Sequence, residues 1–318
     1  MKRLQVYLLL LALLQGFSTI AQVLTVRGII KNDSTSEPIP YVNIMFENYG
    51  MGTSSNENGQ FGFIIPDSLS TENIVISHVG FNSKKVSIQE VLEKSTILLI
   101  PKKEFLAEVS ISQVLKDKRH IFRPENSLEA VGIGNMNAAL YPSTIARFYP
   151  KPDKFSRECF IENIQIYFYP VEEQNHLSPK FRLHIYKVQE DGKPGEDLLS
   201  NLVLEKSSGQ SRMKVELLDK KIEVPENGFF VGLEHLFLKE NEFKEVKDYY
   251  INDSLVAKEF EYKKYAPVYK GVFTKQDSDL KVYYYQPGGW VNISNWEINR
   301  EESEENYIAP VFKIRITD

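Results

Sequence analysis

Cysteine is almost absent from this chain. The one thiol, Cys159, cannot close an internal disulfide. Its setting, Arg157-Glu-Cys-Phe-Ile161 at the head of an alternating run, reads as a small buried hydrophobe rather than a nucleophile. Histidine is scarce too. His78, His120, His176, His184 and His235 are scattered, with no spacing that would bring ligands together on a zinc ion. His78 reads as a histidine satisfied within a sheet, and His184 as lying on the polar face of its strand. There is no Gly-x-Ser-x-Gly, no His-Glu-x-x-His and no phosphate loop, so the sequence offers no catalytic set. Gly132-Ile-Gly134 lacks the third glycine and the βαβ context of a dinucleotide site, and reads as packed loop. An excess of basic residues is missing as well. Lys and Arg number 38 against 43 Asp and Glu, a net charge of −5, which argues against nucleic acid as the main partner.

Long apolar runs are confined to the start. Met1–Ala21 has the form of a secretory leader: Lys2 and Arg3, the apolar run Val6–Leu14, then Thr19-Ile20-Ala21 as a small-residue cleavage site. That run is about half of the ~20 residues a bilayer-spanning helix needs. The expectation is therefore an exported chain, periplasmic or associated with the outer membrane or cell surface, with no transmembrane helix once the leader is removed. No Cys near the cleavage site supports lipid attachment.

What the chain has in quantity is β pattern. Aromatics make up 12%, with 17 Tyr and 19 Phe, as in β-rich proteins. From Val23 to Ser112, short runs alternate with period two. Val42, Ile44 and Phe46 share one face, and Gly, Asn, Ser and Pro fill the breaks. Asn58-Gly59 predicts a hairpin between Thr53 and Phe61. The whole stretch reads as about seven short strands, a sandwich too small for an enzyme cleft of its own.

These residues carry a specific resemblance. Val26-x-Gly-x-Ile30, Pro38-Ile-Pro-Tyr-Val-Asn-Ile44, Gly52-Thr-Ser-Ser-Asn-Glu-Asn-Gly-Gln-Phe-Gly-Phe63, Ser77-His-Val-Gly-Phe81 and Ala107-Glu-Val-Ser-Ile-Ser112 resemble the carboxypeptidase-D regulatory-like domain. Gly52, Thr53, Asn58, Gly59, Phe61, Gly80 and Phe81 carry it, over roughly the first third of the chain. The resemblance implies a transthyretin-like seven-stranded sandwich and no catalytic residue. It also implies a setting in the Gram-negative envelope, where such domains precede TonB-dependent receptors. Here no plug or large barrel follows.

Residues 113–142 read as a connector, with Ser127 or Asn126 as cap of a short helix. From 143 to 318 short strands return, among them Phe160–Tyr169, Phe181–Val188 and Ala309–Ile316. Glu240–Asp253 is highly charged and reads as a loop. No amphipathic helices alternate with the strands, which disfavours a parallel α/β sheet. The predicted class is all-β, with the N-terminal sandwich of 23–112 followed by an antiparallel, jelly-roll-like sandwich. Phe181–Lys187, the turn Asp191–Leu199 and Gly228–Glu234 give this second part a looser resemblance to jelly-roll modules of secreted bacterial enzymes and adhesins.

Two acidic stretches, Asp277-Ser-Asp279 and Glu301-Glu-Ser-Glu-Glu305, read as solvated loops. No cofactor is expected. Hard carboxylate oxygens leave structural calcium open, without a recognised ligand spacing. The one candidate ligand surface is aromatic: Tyr283, Tyr285, Trp290 and Trp296. Tyr283 and Tyr285 share a strand face, and such rings stack on sugars or simply fill a core. The expected function is a non-enzymatic exported binding or interaction protein, with a glycan or an envelope protein as partner. A carbohydrate-binding module and an accessory component of a TonB-dependent transport system are the alternatives.

Overall fold

The computed structural model describes residues 23–102, 114–124, 129–135, 141–251, 254–274, 280–294 and 307–318. The predicted leader, the 107–112 strand, the Ser127 cap, both acidic stretches and Trp296 lie outside them. Among the described residues the fold is all-β, with one short α-helix and a few single-turn 3-10 helices.

The first part contains β1 (Val23–Asn32), β2 (Asn43–Phe46), β3 (Gly52–Ser54), β4 (Gln60–Pro66), β5 (Asn73–Ser77), β6 (Lys84–Ser87), α1 (Ile88–Lys94) and β7 (Thr96–Leu99). Its seven strands make two sheets, ordered β4-β1-β7 and β3-β2-β5-β6. Alternate side chains point between the sheets. Val26, Ile30, Ile44, Phe46, Ile65, Ile74 and Ile76 form one core with Ile88 and Val91 of α1. Each such fully buried side chain contributes roughly 1.5–3 kcal/mol.

Helix α1 starts where Ser87 accepts the Glu90 N–H at 3.1 Å, half of a capping box. It stops at Ser95, in the left-handed region at φ 43°. The Asn58-Gly59 turn forms, but it joins sheets rather than closing a hairpin. β3 pairs with β2, and β4 pairs with β1. The reason is docking to a distant strand: the Gly59 carbonyl accepts the Ile30 N–H at 2.9 Å, tying the turn to β1. Gly59 sits at φ +70°, and a Cβ there would lie 2.6 Å from the Ile30 oxygen.

The second part contains β8 (Arg119–Phe122), β9 (Ala130–Ile133), β10 (Thr144–Tyr149), β11 (Phe160–Tyr167), β12 (Lys180–Val188), β13 (Pro194–Asp197), β14 (Leu202–Glu205) and β15 (Arg212–Glu216). They are followed by β16 (Phe229–His235), β17 (Glu242–Ile251), β18 (Ser254–Tyr265), β19 (Tyr269–Thr274), β20 (Val282–Gln286), β21 (Gly289–Asn292), β22 (Tyr307–Pro310) and β23 (Phe312–Thr317). A seven-stranded antiparallel sheet runs β13-β12-β16-β10-β20-β21, with β14 also on β12. It faces a four-stranded sheet, β15-β11-β23-β8. Ile161, Ile164, Phe181, Leu183, Ile185, Val231, Leu233 and Phe312 fill the space between. Cys159 is buried in the same cluster, as its sequence setting predicts, and burial pushes its thiol up to about 11.

Three expectations change. The stretch 113–142 is more than a connector: β8 pairs with β23, and β9 with β19. Gly132 is inside β9, opposite Lys270, and a Cβ there would lie 2.9 Å from both Tyr169 and Val268. Lys221–Val224, whose sequence reads as a further short strand, makes only the isolated bridge Phe160–Glu223. The charged 240–253 stretch is mostly strand, not loop. β17 and β18 form a two-stranded ribbon whose charges pair across or along it: Lys244–Glu261 at 2.6 Å, Lys263–Glu242 at 2.7 Å and Lys264–Glu245. The charges hide the strand signal because this ribbon is held by backbone pairing and ion pairs, not by a buried apolar face.

Candidate functional site

The seven-stranded sheet has a second face, turned away from the sandwich core. Its register sets Arg182 beside Glu234, Glu234 beside Thr144, and Thr144 beside Tyr285. The next row holds His184, Gly232, Ala146 and Tyr283. Alternation along β12 forces this arrangement. Phe181, Leu183 and Ile185 enter the core, so Arg182, His184 and Tyr186 must point outward.

Outward here does not mean wet. Arg182, His184 and Glu234 are each at most 2% exposed. Oε2 of Glu234 accepts from Arg182 Nη1 and from His184 Nε2, both at 2.7 Å. The other ring nitrogen of His184 donates to Asp197 Oδ2, also at 2.7 Å. Asp197 Oδ1 in turn accepts the backbone N–H groups of Ile185 and Leu199. Arg182 Nε donates to Asn201 Oδ1 at 2.8 Å. Two cations and two anions thus close a neutral set, which is what makes burying them tolerable.

The lid over this set is the first sandwich. Arg182 Nη2 donates to the Tyr41 carbonyl at 2.5 Å, and Tyr41 presents it from the left-handed region at φ 56°. Asn43 donates from its amide to Glu234 Oε1. Asn43 Oδ1 accepts from Ser54 Oγ at 3.2 Å, and Ser54 Oγ accepts the Phe237 N–H at 3.0 Å. Ser54 N–H also donates to the Phe237 carbonyl. An unbroken chain of hydrogen bonds therefore runs from Phe237 through Ser54, Asn43, Glu234 and His184 to Asp197, crossing between the sandwiches twice.

Burial alone would keep His184 neutral, but the Asp197 and Glu234 carboxylates outweigh it and hold the imidazole up at about 9. Burial likewise opposes ionisation of Glu234, yet Arg182 and His184 hold its carboxyl well below the usual range. His235 is driven the other way, to about 4, by burial; its Nε2 donates to the Pro267 carbonyl. His78 is also lowered to about 4, by burial and then by the Arg182 charge. It lies just past the end of β5 rather than within the strand, with its ring edge-on to Phe81 at 5.5 Å.

The aromatic candidates divide. Tyr283 is 7% exposed and packs edge-on against Phe230 in a small cluster with Ala146 and Tyr186. It is core. Tyr285 and Trp290 are half-buried at the sheet's edge, on the same face, with ring centroids 5.1 Å apart at 66°. Trp290 also meets Tyr186 at 5.4 Å, and Tyr186 stacks on His184 at 4.9 Å. So the predicted residues are joined to the charged set through Tyr186. The sequence reading missed Arg182, Asp197 and Glu234. The available signal was Glu234 itself, a carboxylate set between the apolar runs Phe229–Leu233 and Leu236–Leu238, where a charge needs a partner. Among the described residues, no group of three or more His, Cys, Asp or Glu is arranged to hold a metal ion.

No curated protein matches the chain. Among solved structures, the cysteine protease and lectin-like domains of Cwp84, a surface layer associated protein of Clostridium difficile, align at 12% identity with a TM-score of 0.36. The alignment covers 87% of this chain and 58% of that one, a likeness too distant to bear on fold or function. Residues 26–111, which span the sandwich that caps the charged set, match the family model of the CarboxypepD_reg-like domain.

Proposed function

We propose that the chain is a non-enzymatic, exported binding or interaction protein of a Gram-negative cell envelope. In this reading the regulatory-like sandwich is fixed onto the outer face of the second sandwich. The uncovered edge of that face, at Tyr285 and Trp290, meets the partner. The observation that carries the reading is the closure of the charged set. His184 has a carboxylate on each ring nitrogen and is held protonated at neutral pH, so it has no lone pair with which to act as a base. Such a group fixes two domains together rather than turning over a substrate. The leader-like start of the chain supports export.

Full-length protein assayed against glycan and peptide hydrolysis panels tests the non-enzymatic part. Turnover abolished by one acid-to-amide change would overturn it. The half-buried pair Tyr285 and Trp290 favours a glycan as partner, since rings exposed on one side can stack on a sugar. A glycan array should then show binding that Trp290→Ala weakens by about tenfold or more. No binding by the parent, or unchanged binding by the variant, would end the glycan reading. Membership of a TonB-dependent transport system rests on the N-terminal domain's family alone, and co-purification with a receptor barrel is its test.

A further inference from the structure

A concavity lies between the sandwich core and the base of the β17–β18 ribbon, lined by residues other than Tyr285 and Trp290. It has a volume of about 450 Å³. That is room for about 15 waters, within the usual range for small-molecule sites. Its floor is apolar: Ile133, Ile145 and Ile293 belong to the main core, and Val268 and Phe243 to a separate small cluster. The gap is thus a seam between two packed clusters that do not close on each other. Ile308 adds a further apolar wall.

The glycine pair that is no dinucleotide motif belongs here. Gly132 and Gly134 both line the seam. At Gly132 the missing side chain lets Tyr169 and Val268 come close. At Gly134 an added Cβ would meet only Val268, at 3.8 Å, so open space faces it.

The polar groups stand at the rim. Glu245 is held between Lys247, at 2.5 Å, and Lys264. Exposure grades outward: 2% for Ile145, 6% for Ile133, then side chains at 14% for Glu245, 31% for Lys264 and 62% for Lys247. One carboxylate between two ammonium groups leaves the rim with one positive charge in excess. Each ammonium has three N–H donors, so donors remain for an incoming acceptor.

The geometry points to a binding site for a small amphipathic anion, its apolar body in the seam and its charged head on Lys247 and Lys264. This site is independent of the Tyr285–Trp290 edge. A cation of the same shape would meet the excess positive charge and lose.

The probe is dodecanoate, titrated calorimetrically into the full chain, with dodecyltrimethylammonium as the charge-reversed control. Expected are one saturable site for dodecanoate, none for the cation, and binding that weakens with salt. Gly134→Leu, which fills the seam, should weaken dodecanoate by about tenfold or more, and joint Lys247→Met and Lys264→Met by about tenfold. Should Gly134→Leu fail to fold, Ile methyl NMR of the parent gives the location. Shifts should concentrate on Ile133, Ile145, Ile293 and Ile308. No binding by the parent, equal binding of the cation, or shifts confined to other isoleucines would overturn the assignment.

Discussion

His184 and Arg182 meet on one atom. Nε2 of the histidine and Nη1 of the arginine both donate to Oε2 of Glu234 at 2.7 Å, in a place that water does not reach. Glu234→Gln would keep the shape and remove the charge, leaving two buried cations facing Asp197 alone. The loss should be about 3–5 kcal/mol in urea unfolding, the range for removing one member of a buried ion pair. A loss below about 1 kcal/mol would mean that the set is hydrated in solution.

The contact between the sandwiches makes a separate prediction. Asn43→Ala strips Glu234 Oε1 of its donor and Ser54 of its acceptor. The expected cost is about 1–3 kcal/mol, the penalty for a buried polar group left unpaired. In a double-mutant cycle Asn43→Ala should couple to Glu234→Gln by more than about 0.5 kcal/mol. Thr35→Ala, on an exposed turn, should not couple at all.

The pH dependence of stability follows from the histidines, and its sign differs on the two sides. His184 has its folded pKa raised to about 9, so its contribution is complete below about 6.5 and is lost as pH rises from there to 9. His78 and His235 have folded values lowered to about 4. The unfolded chain protonates them first, so stability is lost as pH falls from about 6.5 toward 4. Glu234, held low, adds to the loss at the acid end, below about 4.5. Chemical unfolding across this range should peak near pH 6.5, and His184→Gln should abolish the alkaline decline.

Gly232 supports the stack that joins the charged set to the aromatic edge. A Cβ there would lie 2.8 Å from Cε2 of Tyr186 and 3.3 Å from Cβ of His184. Gly232→Ala should therefore cost about 1–3 kcal/mol through displaced rings. It should also shift the Trp290 fluorescence maximum, because Trp290 packs on Tyr186. An unshifted spectrum with unchanged stability would show that the stack yields freely.

Much of the fold was legible because alternation is local. Phe181, Leu183 and Ile185 face the core as their spacing says, and the turn residues from Asn56 to Gly59 make a turn. What that turn connects was not legible, since it depends on Gly59 docking to Ile30, far along the chain. The capping pair Ser87 and Glu90 could have announced α1, whereas in the charge-paired β17–β18 ribbon Val246, Leu255, Val256 and Phe260 are spaced irregularly among charges and stay exposed, so they mark no buried face. Placing His184 on the polar face was right as far as it went. Alternation cannot say whether a polar face meets water or a second domain, and here Tyr41 and Asn43 cover it. Of the aromatic candidates, Tyr283 is buried on the outer face because Phe230, two strands away across β10, packs edge-on against it, and that strand is more than fifty residues away by sequence number.

The central claim is that a closed, neutral set of four charges fastens the two sandwiches together. Nitrogen-15 NMR of the His184 imidazole in the full-length protein tests it most directly. The account predicts that both ring nitrogens carry protons at neutral pH and release one only near pH 9. A single neutral tautomer at pH 7, titrating at or below the ordinary histidine value of about 6.5, would contradict it.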